Sequence, residues 1–178
     1  QTVLLRFFDQ HLKQVQTSQS QLQLWDLGTK QWSSRPRSSA LSWSLQGGGL
    51  ACLDPASGRL NPNEAGVGEE RIVHDPWRPV PAIGGHLSPS AGPADRQSLD
   101  ARADVATFTT APLDGPVVLA GQPQLQIRAG ADQPGFDLCL VLSRLPQGSA
   151  AVEQLSSGVL RVLGAEAEQM AERRVLLQ

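Results

Sequence analysis

The stretch RIVHDPWRPVPAIGGH, residues 71–86, brings together side chains that could do acid–base chemistry. It places His74 next to Asp75, and a histidine oriented by a carboxylate is a common general base in hydrolases. The three prolines of the stretch argue against that role, because each fixes its own φ and pushes the preceding residue towards extended backbone. Adjacent residues of an extended segment point to opposite sides, so the two side chains are poorly placed to bond each other.

We therefore interpret residues 71–81 as a stiff connector, called the strap below. Asp75 is expected to cap a turn ahead of a proline, and Trp77 is expected to clamp the strap onto a sheet. A catalytic loop is the alternative. The residues assigned to the structural strap are His74, Asp75, Pro76, Trp77, Pro79 and Pro81.

The chain shows no nucleophile for such a base to serve. A serine of the α/β-hydrolase type would stand in G-x-S-x-G at a strand-to-helix turn, and the nearest string, SPSAG at 88–92, lacks the first glycine. Rossmann, phosphate-loop and zinc patterns are also absent from the sequence. The three glycines at 47–49 are typical of a hairpin turn. We predict no catalytic residue, no metal site and no cofactor.

The other candidate residues each have a simpler structural interpretation. His11 lies on a predicted helix, where a surface or docking role is expected, and His86 follows two glycines with no evident partner. Arg102 and Asp104 lie on one side of an extended segment, where pairing with neighbours is favoured over catalysis. Four tryptophans could line a sugar-binding surface, although packing is favoured: Trp25, Trp32, Trp43 and Trp77.

Composition and charge exclude several classes of partner. The 178-residue chain has a net charge of −2 and no basic run, which argues against nucleic acid because phosphate contacts need clustered Lys and Arg. No apolar run approaches the roughly 18 residues of a membrane span, and the N-terminus lacks a signal-peptide pattern. Cys52 and Cys139 are expected to pack as small apolar side chains and leave the redox compartment undecided. We expect a cytoplasmic location, with secretion as the alternative.

The elements that must position these residues follow from hydrophobic periodicity. TVLLRFFDQHLKQ, residues 2–14, predicts a helix with Leu4, Phe8 and Leu12 on one apolar face, which Leu5 and Phe7 broaden. An isolated helix this short is marginal, so the face must dock on something. From residue 21 the period is two, which predicts strands within 21–28, 40–50, 104–113, 116–121, 123–130, 136–145 and 156–164.

Short strands with frequent turns and no alternation of strands and helices indicate an all-β sandwich or jelly roll. The run LCLVL, residues 138–142, is apolar throughout and predicts a central strand. Residues 165–178 stay open, because Ala and Glu favour a helix whereas RRVLL could begin a strand.

Six collinear motifs resemble one family, the C-terminal region of the X-Pro dipeptidyl-peptidase-like hydrolases, also called CocE/NonD hydrolases. The motifs are RFFDQHLK, GTKQW, LQGGGL, HDPWRPVPAIGG, GPADRQ and RADVATFTTAPL, and the match continues through residues 121–150 and 156–162. In the family an aromatic residue stands where this chain has His74, which further weakens a catalytic interpretation. The chain also has DQPGFD where the family has an Asp-Thr-Asp-Phe-like turn.

The resemblance implies a division of the chain and a partner. Residues 1–20 resemble the terminal helix of a preceding α/β-hydrolase domain plus a linker, and residues 21–178 resemble a jelly-roll domain of the galactose-binding type. The partner is then the α/β-hydrolase domain of the same polypeptide, docked on Leu4, Phe7, Phe8 and Leu12.

The implied function is a non-catalytic domain of a bacterial serine hydrolase. It would support the hydrolase domain and wall its substrate site, while the triad for acyl ester or X-Pro peptide hydrolysis lies outside this chain. The family continues with further strands beyond RRVLLQ, so we expect a truncated jelly roll whose exposed edges favour a homo-oligomer. The rival functions are a carbohydrate-binding module and a self-association domain.

Overall fold

A computed structural model describes residues 2–14, 23–34, 40–62, 64–85 and 90–178. Contacts between Cα atoms divide the chain into two compact units, Gln1–Ala40 and Leu41–Gln178. Within the described ranges, no helix combines the length and the apolar character that crossing a membrane requires.

The described residues of the first unit form a helix and a hairpin. Helix α1 spans Thr2–Leu12, and strands β1 (Leu24–Asp26) and β2 (Gln31–Ser33) pair antiparallel. The connection folds back because the Asp26 carboxylate accepts the backbone N–H groups of Gly28 and Thr29, each at 2.9 Å. Aspartate favours such turns through this local bonding. The predicted N-terminal helix is confirmed.

The second unit begins with a three-stranded sheet. Strand β3 (Ser44–Gln46) pairs antiparallel with β4 (Arg59–Asn61), and β4 pairs parallel with β5 (Thr109–Thr110). Gly58 is required beside β4, since a Cβ there would lie 1.9 Å from the Thr107 carbonyl oxygen. The parallel pair is separated by a long connection that contains the strap.

Two antiparallel ribbons complete the unit. Strand β6 (Gln124–Ala129) pairs with β9 (Ala171–Leu176), and β7 (Gly135–Arg144) pairs with β8 (Glu153–Leu163) through a register shift after Leu142. Exposure alternates along β6, as the sequence predicted. A short helix α2 (Gln97–Asp100) and a 3₁₀ turn (Gly164–Glu166) lie between strands.

Strand β9 leads into a close contact with β8. The Gln178 N–H donates to the Ser157 carbonyl at 2.9 Å, and a Cβ on Gly158 would lie 2.0 Å from the Leu176 carbonyl oxygen. Only glycine therefore allows the two backbones to approach this closely. Among the described residues, the buried apolar side chains are Ala51, Val162, Ala167, Val175 and Leu177.

A buried polar pair joins α2 to β8. Arg96 and Gln154 are only 6% and 3% exposed, and the Arg96 guanidinium donates to the Gln154 side-chain oxygen at 3.2 Å. It also donates to the Asp100 carboxylate at 3.1 Å. The backbone continues the link, because Gln154 N–H donates to the Ala94 carbonyl at 2.9 Å.

The all-β prediction is confirmed, and two of its details are corrected. Residues 116–121 form no strand, because β-branched side chains do not fix a strand without a partner edge. The apolar run in β7 is not central among the described strands, since β7 pairs with β8 alone. Of the two alternatives left open for residues 165–178, the strand is found at residues 171–176, because their backbone pairs with β6.

Candidate functional site

The strap is an exposed segment held by bonds at and near its ends. Every residue from Arg71 to Pro81 is exposed, and none of them belongs to a strand. The Asp75 carboxylate accepts the Trp77 N–H at 2.9 Å, and the Asp75 carbonyl accepts the Arg78 N–H at 3.0 Å. These bonds form the turn expected for an aspartate that precedes a proline.

The structure does not assemble a catalytic pair from His74 and Asp75. The Asp75 carboxylate bonds the backbone of its own turn, and the His74 side chain is exposed. The expectation that Trp77 clamps the strap onto a sheet is wrong, because this residue is 91% exposed. Trp77 lies within the turn at Asp75, and its indole is open to solvent. The assignment of the strap as a purely structural element stays a prediction.

The glycine loop at 47–49 holds the start of the strap. Gly49 and Ala51 donate their N–H groups to the two oxygens of the Glu70 carboxylate at 2.9 and 3.0 Å. The hairpin turn expected at this loop is wrong: Gly49 has φ of +85°, and β4 starts only at Arg59. Glycine is needed here because the backbone wraps a side chain from another segment.

A second bond holds the middle of the strap. The Arg102 guanidinium donates to the Arg78 carbonyl at 2.5 Å and binds both carboxylate oxygens of Asp104 at 2.7 and 2.6 Å. The hydrogen bond from Arg102 is the main cause that lowers the pKa of Asp104, and the same bond raises the pKa of Arg102. The expected neighbour pairing of these two residues is confirmed, and its role is to fix the strap.

The strap carries apolar side chains on this fixed backbone. Val73 is 79% exposed, and Ile72 and Val80 are also exposed. Contiguous exposed apolar residues mark interaction surfaces more often than single ones do. The strap is therefore a candidate interaction surface.

The first unit has a second candidate surface. None of its described residues is buried, and the apolar face of α1 is open, with Leu12 76% exposed. The predicted interface residues Leu4, Phe7, Phe8 and Leu12 all lie on this exposed face, which leaves their docking role a prediction. Phe7 also contacts the His11 ring, with ring centroids 4.4 Å apart.

The tryptophans proposed for sugar binding form one pair in the structure. Trp25 and Trp32 are cross-strand neighbours, with ring centroids 5.4 Å apart and planes at 63°. This edge-to-face pair stabilises a hairpin whose strands have only three residues each. The tilted rings do not make the flat platform on which a sugar ring would stack.

The described residues contain no group of three His, Cys, Asp or Glu side chains that could hold a metal. His86 and the first two residues of the SPSAG string, Ser88 and Pro89, lie outside the described residues. The packed role expected for Cys139 is wrong, since the residue is exposed on β7, whereas Cys52 is half-buried. Burial and the Glu70 and Asp104 carboxylates raise the pKa of Cys52, which does not favour a reactive thiolate.

Sequence reasoning missed the residues that fix the strap. Glu70 bonds residues 19 and 21 positions away, and Arg102 bonds a carbonyl 24 positions away. The sequence does show Glu70 directly before the strap and the three glycines at 47–49. No periodic pattern in the sequence indicates that these two segments bond each other.

Comparison with known proteins gave two matches. The family model described as X-Pro dipeptidyl-peptidase C-terminal non-catalytic domain matches residues 10–177. The cocaine esterase of Rhodococcus sp. (strain MB1 Bresler) is 28% identical over 170 residues, which cover 88% of this chain and 29% of that relative. The chain thus spans less than a third of the length of this relative. No solved structure gave a significant match.

Proposed function

The chain belongs to the family of X-Pro dipeptidyl-peptidase C-terminal non-catalytic domains, and from this premise we propose that it supports an α/β-hydrolase domain of the same polypeptide. In this proposal the β-domain packs on the hydrolase domain and helps to wall its substrate site. The match over nearly the whole described chain is the observation that carries the proposal.

The proposed architecture of the domain is a jelly-roll sandwich of the galactose-binding type. Two observations support it: the strands pair mainly antiparallel, and β6 pairs with β9 across the 41 residues that lie between Ala129 and Ala171. Long-range antiparallel pairing is typical of such folds.

The proposed contact with the hydrolase domain runs through α1. Its apolar face is exposed, and an eleven-residue amphipathic helix is marginal without a surface to cover that face. Fully burying a Leu or Phe side chain contributes about 1.5–3 kcal/mol. Burial of Leu4, Phe7, Phe8 and Leu12 would thus stabilise both the helix and the contact.

The proposed reaction belongs to the polypeptide and not to this domain. A serine of the hydrolase domain attacks an acyl ester or X-Pro amide carbonyl, the alcohol or amine leaves, and water releases the acyl group from the serine. Residues of this chain contribute support and shape. They neither accept nor donate the transferred protons.

The test uses the whole polypeptide that carries this domain. A double variant, Leu4→Ser with Phe8→Ser, is expected to lower the rate of hydrolysis of a nitrophenyl ester or an X-Pro-anilide by at least roughly tenfold. The two lost apolar contacts together contribute more than about 1.4 kcal/mol to docking, and 1.4 kcal/mol corresponds to a factor of about ten. The matched control is Arg6→Ser, on the opposite side of α1, which should leave the rate unchanged. Turnover by this chain alone, or equal loss in the control, would contradict the proposal.

A further inference from the structure

We propose that the strap is a preorganised ligand for an apolar, aromatic-lined groove on the hydrolase domain, with Trp77 as its anchor. This inference rests on the proposed function and adds a second contact to the one made by α1. It commits the strap to one partner, the catalytic domain of the same polypeptide.

The strap is exposed along its whole length, and its largest apolar side chain is the most exposed one: Trp77 is 91% exposed. Tryptophan and arginine dominate the binding energy of protein interfaces, and Arg78 directly follows Trp77. An indole that lies within a turn and is open to solvent suits an anchor that enters a pocket.

The strap is also rigid. Glu70 is bonded to the glycine loop, the Asp75 carboxylate closes the turn, and Arg102 binds the Arg78 carbonyl. A segment already fixed in one shape loses little conformational entropy when it binds. These three sets of bonds hold an element whose own residues are all exposed. That arrangement is explained if the strap must be held ready for a partner.

The three prolines of the strap carry no backbone N–H. Pro76 lies in the turn that the Asp75 carbonyl closes with the Arg78 N–H, so the strap is a turn followed by a proline-rich segment rather than one extended helix. With few backbone donors to offer, the strap binds mainly through its exposed apolar side chains, Trp77 above all. Aromatic rings pair favourably with an indole, so the partner surface is apolar and aromatic rather than charged.

The same polypeptide is favoured over a second copy as the partner. The relative of this chain has more than two thirds of its length outside the match, so a large partner is covalently attached in that protein. Attachment raises the effective concentration of such a partner to the millimolar range. A cavity on the β6–β9 ribbon suits an indole poorly, since its lining residues are polar or charged: Gln126, Glu172, Arg173 and Arg174.

Trypsin cleavage after Arg71 tests the inference in the whole polypeptide. The Arg71 side chain is 90% exposed in this domain, whereas cleavage after Arg78 is blocked by Pro79. If the strap is docked, the wild-type polypeptide is cut after Arg71 much more slowly than a peptide of residues 64–85. Trp77→Ala should raise the cleavage rate roughly 30-fold, the factor equivalent to about 2 kcal/mol, because cleavage follows the open population.

The matched control is Leu163→Ala, an exposed apolar residue on β8, which should leave the cleavage rate unchanged. Val73→Ser is a second strap variant and should also raise the cleavage rate. It allows the same comparison if Trp77→Ala lowers the melting temperature. Three results would overturn the inference. The wild-type polypeptide could be cut after Arg71 as fast as the peptide, or Trp77→Ala and Leu163→Ala could change the cleavage rate equally. Slow cleavage that becomes fast when the protein is diluted would indicate that a second copy covers the strap. If the strap is unprotected while Leu4→Ser with Phe8→Ser still lowers hydrolysis, the proposed function stands and this inference alone fails.

Discussion

Gly158→Ala is expected to be among the most damaging single-methyl substitutions in the β-domain. The added Cβ would lie 2.0 Å from the Leu176 carbonyl oxygen and 2.9 Å from its carbon, so β8 and the chain after β9 must separate by about 1 Å or more. Both neighbours are backbone atoms, which cannot rotate away as a side chain can.

The cost follows from what that movement breaks. The Gln178 N–H bond to the Ser157 carbonyl and the Ser156 hydroxyl bond to the Gln178 carbonyl, at 2.9 and 2.8 Å, both span the contact. Overpacking costs about 1–3 kcal/mol and each of the two weakened hydrogen bonds about 0.5–1.5 kcal/mol, which gives about 2–6 kcal/mol in total. For a domain of this size the melting temperature should fall by about 4–24 °C.

The assay is thermal unfolding followed by circular dichroism in the polypeptide that carries the domain. Gly115→Ala is the matched control, because a Cβ there meets no atom within 4 Å. It should change the free energy of unfolding by less than about 1 kcal/mol, in the stabilising direction if at all. A melting temperature for Gly158→Ala that stays within 2 °C of the control, a margin of roughly 1 kcal/mol, would refute the close contact.

Two further predictions concern polar groups. Gln154→Leu leaves the buried Arg96 guanidinium without one hydrogen-bond acceptor, so the free energy of unfolding in urea should fall by about 1–3 kcal/mol. The control Gln126→Leu, on the exposed face of β6, should change it very little. Equal effects of the two variants would count against the buried pair. Arg102 lowers the pKa of Asp104 below its ordinary 3.8, so this ion pair stabilises the fold above that pH and its contribution disappears as the pH falls through the lowered value. The melting temperatures of wild type and Asp104→Asn should therefore converge as the pH falls from about 5 through 3.8 and below, and a constant difference would contradict the pairing.

The sequence predicted those elements whose own periodicity carries the signal. Helix α1 followed from Leu4, Phe8 and Leu12, and the exposure pattern of β6 followed from strict alternation of polar and apolar residues. The secondary structure of residues 171–176 could not be predicted, because Ala and Glu favour a helix. These residues form a strand because they pair with β6.

The strap shows why the candidate surface was harder to predict. Its prolines and the Asp75 turn follow from local chemistry, and both were visible in the sequence. The exposure of Trp77 was not, because an indole is usually packed and only the long-range bonds from Glu70 and Arg102 decide where the strap lies. Side chains that bond carbonyls or amides some twenty positions away leave no periodic trace.

The parallel pairing of β4 with β5 has a consequence for how this domain can change over time. The connection from residue 62 to residue 108, which contains the strap, begins and ends side by side because Leu60 lies opposite Thr110. Once both ends of a loop are fixed, doubling its length costs only about 0.6 kcal/mol of closure entropy. Insertions and deletions within the exposed strap, residues 71–81, are thus of low cost for the sheet, and related domains can change this segment while the underlying strands stay the same.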